Sequence, residues 1–215
     1  MRRRSERLLY AANGVDLRVA DVELTGGERV ERPFIRAPRA AGAVVFHGGR
    51  VLLLWRHRPI TDTWGWEIPL GDIGAGESPE EAAARHVEEQ TGWRAGPLLP
   101  LIRTRPAGDV ADCDHLIFAA HQPTDIGEGG ADGAAPDGTA TGRDARGDSS
   151  PGGDAASGDA SGGDAAGGDL ERGRAEWVPM LRIQGLIEEQ AITSATTSAA
   201  LLHFLADLLQ ARAAH

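Results

Sequence analysis

Apolar positions alternate loosely over Val15, Leu17, Val19 and Val22, pause at Thr25-Gly26-Gly27-Glu28, and resume over Arg29 to Arg36. That pattern predicts a β-hairpin. A second hairpin is predicted where Ala43-Val44-Val45-Phe46 and Val51-Leu52-Leu53-Leu54-Trp55 flank His47-Gly48-Gly49-Arg50. Its strands are nearly continuous in apolar residues, which implies a sheet covered on both faces. The period then changes. Ser78 is placed to cap a helix, Pro79 suits its first position, and Glu81 completes a capping box. Helical spacing runs through Ala82, Ala83 and Val87 and stops at Gly92, which suits a left-handed C-cap. Leu98 to Ile102 and Leu116 to Ala120 read as strands, and Ala175-Glu176-Trp177-Val178-Pro179 as a short strand ended by proline. Helices are expected over residues 180–190 and 194–212, the second burying Leu201, Leu205, Leu208 and Leu209 at helical spacing. Strands with one central and two terminal helices predict a layered α/β domain.

The pattern fails between residues 125 and 169. Nine aspartates, one glutamate and two arginines give that stretch a net −8 of the chain's −10, and 14 of the 29 glycines fall in it. With almost no apolar side chain larger than alanine after Ile126, it cannot bury enough surface to offset the entropy of ordering, so a disordered insertion is expected. The rest of the chain is nearly neutral, which speaks against a nucleic-acid backbone as partner, since phosphate binding needs a basic surface. All 22 basic residues are arginine. The single cysteine, Cys113, excludes a disulfide framework within the chain and fits a reducing cytoplasm. No apolar run reaches the roughly 18 residues of a membrane span, so no membrane partner is expected. The basic start, Met1 to Arg7, lacks the apolar core of a secretory signal.

The most informative segment is Trp64-Gly65-Trp66-Glu67-Ile68-Pro69-Leu70-Gly71-Asp72-Ile73-Gly74-Ala75-Gly76-Glu77, followed by the capped helix to Gly92-Trp93. It resembles the Nudix box, G-x5-E-x7-R-E-U-x-E-E-x-G-U with U apolar. Gly71, Glu77, Arg85, Val87, Glu89, Gly92 and Trp93 fall in their slots over 23 residues. Arg39-Ala40-Ala41-Gly42, Leu54-Trp55-Arg56-His57-Arg58, Trp66-Glu67-Ile68-Pro69 and Glu176-Trp177-Val178-Pro179 look like the ADP-ribose pyrophosphatase branch of that family. The resemblance implies an α/β/α sandwich around a mixed β-sheet, with an N-terminal β-hairpin. The expected division is residues 1–37, an N-terminal β-hairpin region that makes a dimer contact, and residues 38–215, a Nudix domain interrupted by 125–169. It also implies a homodimer and hydrolysis of a nucleoside diphosphate linked to another group.

Such a reaction needs charge neutralisation at the diphosphate, which Mg2+ or Mn2+ supplies through hard oxygen ligands. The family sets glutamates at helix positions i, i+3 and i+4, which share one face. Here those positions read His86, Glu89 and Gln90, so one carboxylate of three remains. His86 is open to a role as a neutral imidazole ligand, better suited to a transition metal than to magnesium. Gln90 offers only an amide oxygen. Glu88 points about 200° away from position 86 and does not compensate.

The resemblance makes His86, Glu89 and Gln90, with the Leu70 carbonyl, the metal ligands of a weakened site. It makes Glu77 and Arg85 a loop-to-helix ion pair and Gly92 the end of the box. His86, Glu89 and Glu171, the last on a late loop, are the candidate catalytic groups. For substrate, Arg56 and Arg58 are candidate phosphate contacts or a solvated cluster. Trp66, with Trp64, either stacks on a base or packs in the core. Gly71 permits close backbone approach to phosphate or metal. Asp112, Asp114 and His115 surround Cys113 at spacings that match no zinc motif. Two functions are open at this point: a Nudix-type pyrophosphohydrolase on an ADP-ribose-like compound, and a catalytically silent nucleotide-binding or regulatory protein on the same fold.

Overall fold

The computed structural model describes residues 1–127 and 174–213. From residue 128 onward the expected insertion lies outside the described residues, as does Glu171. In chain order the described elements are β1 (Arg2–Ala12), β2 (Val15–Glu23), β3 (Arg29–Arg36), β4 (Ala40–His47), β5 (Arg50–Arg58), β6 (Thr63–Glu67) and β7 (Leu70–Asp72). After these come α1 (Pro79–Thr91), β8 (Trp93–Arg94), β9 (Leu98–Thr104), β10 (Ala111–Asp112), β11 (His115–His121) and β12 (Thr124–Asp125). β13 (Arg174–Pro179), a 3-10 turn at Met180–Arg182, α2 (Ile183–Glu188) and α3 (Ala195–Ala213) complete them.

The N-terminal hairpin of β2 and β3 forms where the alternation places it, but it is part of a larger sheet of order β1-β2-β3-β10. The added strand β1 carries no clean alternation, because most of its residues are exposed. It is joined to β2 by an antiparallel ladder from Arg2–Glu23 to Ala12–Val15, and ion pairs add to that ladder. Arg4 Nε lies 2.6 Å from a Glu23 carboxylate oxygen, while Arg18 and Arg36 reach Glu6 at 2.8 and 2.7 Å. The Arg36 guanidinium, above all, keeps the Glu6 carboxyl below its ordinary range.

The central sheet has the order β13-β5-β4-β11-β9, with β6 added to β5 and β7 to β4. β11 runs parallel to β4 and antiparallel to β9, so the sheet is mixed. β4 is buried on both faces, as its continuous apolar run requires. Ala41, Ala43 and Val45 join Leu52, Leu54 and the α1 residues Ala82, Ala83 and Val87 in one cluster. Val44, Val51 and Leu53 join Ile183, Leu201 and Phe204 of α2 and α3 in the other. The layers are therefore α1, sheet, then α2 with α3: an α/β/α sandwich.

One feature of the sheet positions the site. β4 and β5 pair only next to their turn, at Phe46–Val51 and His47–Arg50. Farther along they part, and β7 pairs with the start of β4 through Ala40–Asp72, Ala41–Gly71 and Gly42–Leu70. A Cβ at Gly42 would stand 2.3 Å from the Pro69 carbonyl oxygen, so this approach needs a glycine. The segment leaving β7 is thereby delivered to the start of α1.

Candidate active site

The capping predicted for α1 is present at both ends. The Ser78 hydroxyl accepts from the Glu81 N–H at 3.2 Å, and the Ser78 N–H donates to the Glu81 carboxylate at 2.8 Å. Gly92 takes a left-handed φ of 72°. This fixes α1 in register with the loop before it. Across that joint Arg85 grips Glu77 with two parallel bonds, Nε to Oε1 at 2.8 Å and Nη2 to Oε2 at 2.9 Å. Such a bidentate pair fixes orientation as well as charge. Glu77 also accepts from the Gly74 N–H at 2.8 Å. Arg85 and then that N–H lower the Glu77 carboxyl to about 2. Glu77 and Arg85 thus meet as the resemblance implies.

His86 turns into the protein. It is 8% exposed, and its Nε2 donates to the Asp72 carbonyl oxygen at 2.9 Å. The imidazole lies directly over Gly71: a Cβ there would stand 2.4 Å from Cε1 and 2.6 Å from Nε2. Gly71 was expected to leave room for phosphate or metal; instead the ring of His86 fills that room. Glu89 faces outward, its side chain 56% exposed, with Arg85 Nη1 at 3.1 Å and His86 Nδ1 at 3.9 Å from Oε2. Glu88 pairs with Arg94 at 2.7 Å, away from these groups.

Gln90 spans α1 and β7. Its Nε2 donates to the Leu70 carbonyl oxygen at 3.1 Å, and its Oε1 accepts from the Leu70 N–H at 3.3 Å. The same Oε1 accepts from Arg56 Nη2 at 2.9 Å. The expected backbone ligand, Leu70, is therefore already bonded to another expected ligand. Sequence reading missed this because the partners lie 20 and 34 residues from Gln90.

The remaining candidates separate by sheet face. Successive strand residues point to opposite faces. Leu54, Arg56 and Arg58 pair across from Glu67, Gly65 and Thr63, while Trp55 and His57 pair across from Trp66 and Trp64. Arg58 Nε donates to Glu67 at 2.9 Å, and a second nitrogen makes a short contact to the same carboxylate. Trp66 packs into the cluster with α3 and lies 5.1 Å from the Trp55 ring. The structure brings Arg56, Gly71, His86 and Gln90 together but sets Trp66 on the other face, in its core-packing alternative.

Around Cys113, Asp114 is taken by Arg103 and, at 2.8 Å, by Arg105, which lower its carboxyl to about 2. His115 Nδ1 lies 2.9 Å from the Thr196 hydroxyl, and burial pushes its basicity down. Burial, followed by nearby carboxylates, pushes the Cys113 thiol up, opposite to what a reactive thiolate needs.

No group of three or more His, Cys, Asp or Glu side chains placed to hold a metal exists among the described residues. At positions 86, 89 and 90 the donors left over are the Glu89 carboxylate and His86 Nδ1, and the Arg85 guanidinium already stands 3.1 and 3.5 Å from them. These residues do not fit a resident Mg2+ or Mn2+ cluster.

Residues 36–135 match the NUDIX domain model. The chain carries a Nudix domain. Over 118 residues it is 42% identical to CMP-5'-(N-acetyl-N-hydroxy-3-aminopropyl)phosphonate hydrolase of Streptomyces rubellomurinus, a match covering 54% of this chain and 57% of that one. Over 115 residues it is 30% identical to ADP-ribose pyrophosphatase of Bacillus subtilis, covering 53% of this chain and 62% of the relative. The chain thus spans about three-fifths of these curated relatives. The crystal structure of an ADP compounds hydrolase superposes with a TM-score of 0.68 at 17% identity, covering 97% of this chain and 93% of that one. This agrees with the α/β Nudix fold. No described helix is long and apolar enough to cross a membrane.

Proposed function

We propose that the chain is a Nudix-type pyrophosphohydrolase that cleaves a nucleoside diphosphate linked to another group, of the ADP-ribose kind, with weakened turnover. The observation that carries this reading is the intact joint between box loop and helix: Glu77, clamped by both Arg85 and the Gly74 N–H, ahead of a helix capped at both ends. Likeness to hydrolases of nucleotide compounds supports the substrate class. Water attacks phosphorus, the pyrophosphate P–O bond breaks, and two phosphate monoesters leave. Weak turnover follows from the helix face, where Glu89 is the one carboxylate at positions 86, 89 and 90.

The second reading, a silent nucleotide-binding protein, is favoured by one observation: Leu70 and Gln90 satisfy each other. Incubation with ADP-ribose and either Mg2+ or Mn2+ separates the two. The hydrolase reading expects slow AMP release that Glu89→Gln abolishes. No release with either ion, together with nucleotide binding by calorimetry, sinks it in favour of the silent protein.

The partner we propose is a second copy. Tyr10, Leu17 and Ile35 lie in register across β1, β2 and β3 and are 66%, 39% and 42% exposed. An apolar row of this kind on an outer sheet fits a subunit contact.

A further inference from the structure

Position 90 gives up a charge and gains a geometry that a glutamate cannot make. The Gln90 amide meets the Leu70 peptide with its donor on the carbonyl at 3.1 Å and its acceptor on the N–H at 3.3 Å. An ionised carboxylate in the same rotamer would set an acceptor against the Leu70 carbonyl with no proton between them. It would need a cation there, or it would turn away. Arg56 is itself 4% exposed, and its Nη2 donates to Gln90 Oε1 at 2.9 Å. A buried positive charge therefore stands beside the side chain that the box pattern would make a metal ligand.

We propose that Arg56 and Gln90 form a latch that takes the structural place of a metal ion: the amide ties α1 to β7, the guanidinium supplies the positive charge, and the described site is closed to a resident divalent cation. On this view Gln90 is a positioning residue matched to Arg56, not a ligand lost by drift. Restoring the carboxylate alone recreates no metal site, because Arg56 captures it as an ion pair. The proposal rests on the Nudix reading of the site but not on turnover.

The test titrates the full chain with Mn2+ alone, without nucleotide, and follows bound metal by electron paramagnetic resonance. Wild type, Gln90→Glu, and Gln90→Glu combined with Arg56→Gln all carry the same acidic 125–169 stretch, so weak binding there cancels. The expected result is that Gln90→Glu binds Mn2+ no more tightly than wild type, and that the double variant binds at least tenfold more tightly. Equal gains in the single and double variants would overturn the latch. So would a wild-type micromolar site that Glu89→Gln abolishes, a measurement that needs neither latch variant to fold. Hydrolysis of ADP-ribose is read separately. Its absence beside the expected Mn2+ pattern sinks the hydrolase reading and upholds the latch.

Discussion

Substituting Gly71 by alanine tests whether the space beside it belongs to the protein or to a ligand. Gly71 has no positive φ, so alanine meets no backbone penalty and the effect is steric alone. The new Cβ would stand 2.4, 2.6 and 2.8 Å from three atoms of the His86 ring, where ordinary contact begins near 3.4 Å. The ring must retreat by about 1 Å. It has little room, being almost fully buried and tied at 2.9 Å to the Asp72 carbonyl. Overpacking of this kind costs about 1–3 kcal/mol. Losing the hydrogen bond adds roughly 0.5–1.5 kcal/mol. A total of about 1.5–4.5 kcal/mol corresponds to a melting point lower by about 3–18 °C for a chain of this size. In a His86→Ala background the ring is gone, and Gly71→Ala should then cost under ~0.5 kcal/mol, a coupling of ~2 kcal/mol in a double-mutant cycle read by urea and thermal melts. Additive losses would refute the stacking of His86 on Gly71. A stable Gly71→Ala that lost only nucleotide binding would return that space to the ligand.

Acid should loosen the box joint in a defined window. The Glu77 carboxyl is lowered from 4.5 to about 2, so the stability it adds is full above pH 4.5 and is lost as pH falls towards 2. Glu77→Gln should lower the neutral melting point and flatten its decline across that window; an unchanged slope would deny the ion pair its part. At the N-terminal sheet, light scattering should give a mass twice the 22.6 kDa chain. Leu17→Arg should halve that mass, and a wild-type monomer would remove the subunit contact.

What the sequence made legible follows from range. The α1 caps involve residues three apart, Ser78 and Glu81, or a single glycine with a required conformation, Gly92, and both ends form as read. The two buried strands β4 and β5 announce themselves by continuous apolar runs. β1 does not, because its first six residues are arginine and other polar side chains and its large apolar residues, Leu8, Leu9 and Tyr10, follow one another without alternating. The expected Glu77–Arg85 pair spans eight residues within one motif, and it forms.

At the centre of the site the same sequence misleads, since counting carboxylates sees only what is missing. His86 and Gln90 read as two lost charges. In the fold each is a fitted part: the imidazole fills the hollow over Gly71 and bonds to Asp72, and the amide bonds both backbone groups of Leu70. Ligands lost without compensation would leave these backbone groups without a protein partner. Here the Leu70 and Asp72 carbonyls are bonded by the very residues that replaced the glutamates. On the latch proposed above, His86 and Gln90 hold the loop to the helix through these bonds, and Glu89 is the carboxylate left on the exposed edge of that helix face.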